Sequence, residues 1–210
     1  AIEGDFAHGF KPLCVVATIG TTGSTAIDPI KAIGEICKRH NIWLHVDAAM
    51  AGTALILPEM RWMSEGIEFA DTFVFNPHKW MLTNFDCSAY FVRDKEALVR
   101  TFEILPEYLK TSEKSEVNNY RDWGVPLGRR FRALKLWFVI RSYGVNGLQS
   151  IIRNHLAMAK SFAKTIQETH DFELLAPLSM NLICFRFHPN GVDDHSVLNA
   201  LNERLEHILN

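Results

Sequence analysis

The chain has 210 residues, 48% of them hydrophobic and 22% charged, which suits one large folded domain or a domain with a small extension. Its formal charge of −2 leaves no electrostatic footprint for nucleic acid or an anionic membrane, and no apolar run is long enough to span a bilayer. The four scattered cysteines, Cys14, Cys37, Cys87 and Cys184, form no CxxC and have no histidine at zinc spacing, so they read as reduced thiols of a cytoplasmic protein. No secretory leader is visible, and the start at Ala1 without an initiator Met is what an internal piece of a longer polypeptide would show.

Leu13–Ile19 (LCVVATI) is a β-branched apolar run that ends in the turn-rich GTTGST, and it predicts a buried strand. Asp28 followed by Pro29 predicts an N-cap with proline at the first helical position, opening a helix to about Arg39. Ile42–Val46 predicts a second strand, Thr72–Phe75 a third and Ser88–Val92 a fourth. Strands alternating with helical stretches imply an α/β fold with a mostly parallel sheet flanked by helices. Glu107–Asn119 is polar and aperiodic, and reads as an exposed loop. Helices are expected over 127–143 and 147–168, a short alternating strand at CFRFH, and an amphipathic helix over 197–209. The change of pattern near Asp171 divides the chain into 1–170, part of a large domain, and 171–210, the incomplete start of a small C-terminal α/β domain.

In parallel sheets, ligands gather at the carboxyl ends of the strands. Three polar positions fall there: Thr21-Thr22 after the first strand, Asp47 after the second, and Asn76-Pro77-His78-Lys79 after the third. A lysine between an apolar run and a tryptophan is unusual, because an unpaired ammonium costs several kcal/mol to take out of water. In a dry pocket, however, a lysine loses its charge near neutral pH and forms a Schiff base with an aldehyde. Pyridoxal 5'-phosphate is such an aldehyde, and a carboxylate beside its pyridine nitrogen keeps that nitrogen protonated. Asp47 and Lys79 suit these two tasks.

The segments VATIGTTGSTAID, IWLHVDAAMAG, FADTFVFNPHKWML, NFDCSAYFV and PLGRRFRALKLWFVIRSYGV resemble the group II pyridoxal-phosphate-dependent amino-acid decarboxylases, the aromatic-L-amino-acid branch above all. The resemblance runs from about Phe10 to Phe187 and implies the type I fold of pyridoxal-phosphate-dependent transferases. It implies decarboxylation of Trp, Tyr, Phe or dihydroxyphenylalanine to the amine, through a Schiff base and a quinonoid intermediate. By the same resemblance Lys79 is the Schiff-base lysine and Asp47 the partner of the pyridine nitrogen. Asn76 and His78 lie at the phosphate end or beside the lysine, Thr22 lies near the ring hydroxyl, and Ala49 packs against the ring. Tyr108 is the lid tyrosine that returns a proton to the α-carbon, where relatives with phenylalanine make aldehydes. Gly128 matches the glycine that leaves room for a wide ring, whereas histidine-decarboxylating relatives tend to carry serine.

Met50 departs from the pattern, standing where HVDAA is commonly followed by tyrosine. The family's stacking histidine and part of its phosphate cradle fall upstream of Ala1, so the chain is expected to be a fragment of a longer homodimeric enzyme with an amino-acid substrate and no metal. Three alternatives stay open: a histidine decarboxylase, an aromatic aldehyde synthase, and a non-catalytic piece serving as an interaction module.

Overall fold

The computed structural model describes residues 1–103 and 118–210. Tyr108, with most of the polar stretch 107–119, lies outside the described residues. Two compact units divide the chain, Ala1–Gly20 with Ile27–Gly144, and Thr21–Ala26 with Val145–Asn210.

In the first unit a short helix α1 (Ile2–Ala7) precedes β1 (Cys14–Thr18), α2 (Ile30–His40), β2 (Trp43–Asp47), β3 (Thr72–Phe75), β4 (Ala89–Val92) and α3 (Lys95–Phe102). The strands form one sheet in the order β1-β2-β3-β4. The first three run parallel, and β4 returns antiparallel to β3. Alternation along β2 buries Leu44 and Val46 on one face and leaves Trp43, His45 and Asp47 half-buried on the other. Leu44 and Val46, with Ala17 of β1, lie in the core; α2 packs against β1 and β2 and buries Ile30, Gly34 and Cys37.

The helix expected to begin at Pro29 starts one residue later, at Ile30, and its cap differs from the expectation. Pro29 occupies the N-cap with no side-chain hydrogen bond. The Asp28 carboxylate instead accepts the Thr18 N–H at 2.7 Å, while its own N–H donates to the Thr18 carbonyl at 2.9 Å. The aspartate thus ties the connection to the end of β1. Asn41 ends the helix in the left-handed conformation at φ 53°. Between β2 and β3 the chain makes three short 3-10 turns at Ala51–Ile56, Pro58–Ser64 and Ile67–Phe69.

The long helix α4 (Arg132–Glu168) is broken at Gly144 (φ 61°, ψ 177°), and the break coincides with the boundary between the units. In the second unit its C-terminal part buries Leu148, Ile152, Ala159, Ala163 and Ile166. The hairpin of β5 (Phe172–Leu174) and β6 (Phe185–Phe187) adds Phe172, Phe185 and Phe187, with Phe162 edge-on to Phe185 at 5.5 Å. The terminal helix α5 (His195–Leu209) is capped by Asp194, and its Asn202 exchanges hydrogen bonds with the main chain of Phe187 at 2.8 Å. Among the described residues no helix is long and apolar enough to cross a membrane. Nor does any group of three or more metal-ligating side chains form a candidate metal site among them.

Candidate active site

Parallel pairing brings the ends of β1, β2 and β3 to one edge of the sheet. Thr18 stands opposite Asp47, and Asp47 opposite Val74. Main-chain bonds then carry the order past the strands. The Ile19 N–H donates to the Asp47 carbonyl at 2.8 Å, the Ala48 N–H to Val74 at 2.9 Å, and the Asn76 N–H to Ala49 at 3.0 Å. Asp47, Ala49 and Asn76 are therefore neighbours at the carboxyl edge, where a doubly wound sheet presents its ligand site.

Asp47 is half-buried and has one carboxylate oxygen engaged, Oδ1 accepting the Ala49 N–H at 2.9 Å. Its other oxygen has no partner among the described residues. This short-range bond fixes the χ1 of the aspartate while leaving a charged acceptor free. Ala49 is half-buried between the fully buried Ala48 and Ala51, a run of small residues that lets the chain turn closely at the strand end.

Asn76 follows β3 and is pinned from both sides, its N–H on Ala49 and its carbonyl accepting the Lys79 N–H at 2.9 Å. Its side-chain Oδ1 lies 2.5 Å from the hydroxyl of Ser88. His78 is held by Cys87. The His78 main-chain N–H donates to the Cys87 carbonyl at 3.2 Å, and His78 Nδ1 lies 2.8 Å from that carbonyl and 2.9 Å from the Cys87 N–H. Phe85 meets the imidazole edge-on at 4.9 Å. Lys79 is exposed, and among the described residues its amine has neither a carboxylate nor a hydrogen-bond partner.

The loop behind the lysine is tied down by a charged pair, Arg132 donating to Asp86 at 2.8 Å. The hydrogen bond from the guanidinium draws the Asp86 carboxyl down to about 2. Burial pushes the Cys87 thiol up, against the opposing influence of Lys135 and Arg132. That thiol is protonated at neutral pH and is no nucleophile. All four cysteines are free.

The other expected site residues are placed less closely. Thr22 is exposed in the turn Thr21–Ala26, which belongs to the second unit. There Thr25 donates to the Ser179 carbonyl at 3.2 Å. Gly128 is exposed, and a side chain added there would meet nothing within 4 Å.

The donor set at the edge suits pyridoxal phosphate. It offers a free primary amine, a free carboxylate oxygen, and two side chains with hydrogen-bonding atoms still available, Asn76 and His78. An aldehyde, a ring nitrogen and a phosphate are the groups such a set can hold. Sequence reasoning missed the residues behind that set, Cys87 and Ser88. The signal for them was the β3–β4 pairing: with Phe75 opposite Ala89, Asn76 must face Ser88.

Comparison with known proteins gives a consistent result. A family model described as the pyridoxal-dependent decarboxylase conserved domain matches residues 1–188. An aromatic-L-amino-acid decarboxylase of Drosophila lebanonensis is 48% identical over 204 residues, which cover 97% of this chain and 51% of that protein. The chain spans about half the length of the curated relatives it matches. The structure of Oryza sativa TDC with PLP and tryptamine superposes with a TM-score of 0.93 at 40% identity, covering 99% of this chain and 44% of that one. That of Rhodiola rosea 4-hydroxyphenylacetaldehyde synthase gives 0.85 at 35%, covering 98% and 42%.

Proposed function

The chain belongs to the pyridoxal-dependent decarboxylases, and on that premise we propose that it supplies the cofactor-holding strand edge of an enzyme that converts an aromatic L-amino acid to its amine and CO2. The observation that carries this reading is the pair Asp47 and Asn76–Lys79 on adjoining strand ends, with a carboxylate oxygen and an amine both free. When bound, pyridoxal 5'-phosphate supplies an aldehyde for covalent attachment and a ring that accepts the electron pair left as CO2 departs.

Each residue then has a task. The Lys79 amine would hold the cofactor covalently, and its exposed position leaves it accessible to an incoming substrate amine. Asp47, oriented by the Ala49 N–H, would hold a proton on the ring nitrogen, since a nearby carboxylate favours the charged form. Asn76 would donate its NH2 to the phosphate, and His78 would hold the phosphate end or the lysine. Ala49 would let the ring approach the main chain, and the Thr22 hydroxyl would lie toward the ring's oxygen. The Tyr108 phenol would return a proton to the substrate α-carbon. Gly128 would leave the substrate side of the pocket wide enough for an aromatic ring. We place the enzyme in the cytoplasm as a homodimer.

The test uses the purified full-length protein with added pyridoxal phosphate and a panel of amino acids, every product being identified by mass. Amine from Trp, Tyr, Phe or dihydroxyphenylalanine is expected, together with a visible absorbance band that Lys79→Ala abolishes. A colourless protein that takes up no cofactor would instead support a non-catalytic interaction module. Similarity to the 4-hydroxyphenylacetaldehyde synthase favours one second reading, oxidative production of an aromatic aldehyde. Peroxide and aldehyde among the products would establish it in place of the amine, and activity on histidine alone would overturn the role given to Gly128.

A further inference from the structure

We propose that Ser88 is a positioning residue that turns the Asn76 carboxamide into a hydrogen-bond donor for the cofactor phosphate. The proposal rests on the function proposed above and adds to it one residue, Ser88, that acts through Asn76.

The contact arises from the return of β4 against β3. The last ladder pair, Phe75 with Ala89, sets Asn76 opposite Ser88 and leads the chain back past His78 at Cys87. A carboxamide oxygen can only accept, so the Ser88 hydroxyl donates to Asn76 Oδ1. The Asn76 main chain is already fixed by Ala49 and Lys79, which leaves side-chain rotation as its remaining freedom. Ser88 removes that freedom. With Oδ1 facing the serine, the NH2 group faces away from it, and among the described residues that group has no partner.

His78 is held against the same strand by the main chain of Cys87, its Nδ1 lying 2.8 Å from the Cys87 carbonyl and 2.9 Å from the Cys87 N–H. The Asn76 NH2 is the donor that this return of the chain orients, two residues before His78 and three before the lysine. A donor held at the carboxyl edge of a parallel sheet suits an anionic group rich in acceptor oxygens.

The test compares pyridoxal phosphate with pyridoxal, which lacks the phosphate but keeps the aldehyde and ring. Dissociation constants for both are measured by absorbance titration on the full-length protein and on Ser88→Ala, Ser88→Thr, Asn76→Ala and the double variant. Loss of one neutral hydrogen bond predicts that Ser88→Ala weakens pyridoxal phosphate roughly tenfold and leaves pyridoxal unchanged. Ser88→Thr, which keeps the hydroxyl, restores the affinity. In the Asn76→Ala background Ser88→Ala has no further effect on the phosphate preference. Equal weakening of both ligands, weakening of neither, or an undiminished serine effect without Asn76 would each overturn the proposal. Should Ser88→Ala fail to fold, Ser88→Thr with wild-type preference still supports it, and Ser88→Thr with the phosphate preference lost overturns it. A wild-type protein that binds neither ligand would overturn the proposed function itself, an outcome distinct from all of these.

Discussion

Asp47 and Asp86 are two carboxylates in one neighbourhood with different work. Asp47 keeps one oxygen for a partner outside the chain, and we propose that this partner is a cofactor ring nitrogen. Asp47→Ala should then lower kcat/KM by several orders of magnitude, of the order of several kcal/mol in transition-state stabilisation. Steady-state kinetics would check this, and near-normal turnover would remove the residue from the mechanism. Tyr108→Phe should retain cofactor and substrate binding while losing amine output, read by product mass. Asp86 faces Arg132 and is drawn to about 2 by that guanidinium. A carboxyl whose value is lower folded than unfolded stabilises the fold fully above its unfolded value of about 4. That contribution fades as pH falls through about 2. Asp86→Asn should therefore lower the Tm near neutral pH, with the difference from wild type closing across this acid window. Melting curves at graded pH would check it.

The packing of α2 gives a case where two effects oppose each other. Gly34 lies within the helix, and replacing glycine by alanine there gains about 1 kcal/mol of helix propensity. Yet a Cβ at position 34 would lie 2.5 Å from the Phe69 Cβ and 2.7 Å from its Cγ. Overpacking of that kind costs about 1–3 kcal/mol, so Gly34→Ala should lower the Tm despite the better propensity. The four strands of the sheet were legible within two residues because each is a short apolar run closed by turn residues. The strand-end places of Asp47 and Lys79 were legible because Asp47 closes one such run and Lys79 stands four residues past the end of another. Other elements carried weaker signals. The 3-10 turns after Asp47 have no sustained period of 3.6, and the direction of β4 is not written in its composition. The cap at Asp28 misled because an aspartate before a proline suits an N-cap as well as the strand-end bond it makes. Helix α3 went unread although Asp94 caps it through the Ala97 N–H at 3.1 Å, a signal available in DKEA.

At the scale of the molecule, one run of exposed apolar side chains leads into the first turns of α4. Leu127, Phe131, Trp137 and Phe138 all lie in the first unit and are more than half exposed. Soluble chains seldom leave large side chains uncovered in such numbers. The 210-residue chain, prepared by itself, should bind an apolar dye strongly and elute in size-exclusion chromatography above its mass of 23.9 kDa. A monomeric, dye-silent chain would show that these side chains cover one another in solution. What sequence could not supply at this scale is the division at Gly144, since one glycine inside a long helical pattern does not announce a left-handed break.

The return of β4 beside β3 also bears on the lysine. The N–H groups of Asn76, His78, Lys79 and Thr83 all have main-chain acceptors, so the segment is anchored at several points along its length. In the role we propose for Lys79, a side chain that lets go of one partner and retakes another at every cycle would benefit from such a mount, because its amine would come back to the same spot each time. The gain is one of local concentration, the recapture needing little search. Slow amide hydrogen exchange at these four positions would register it.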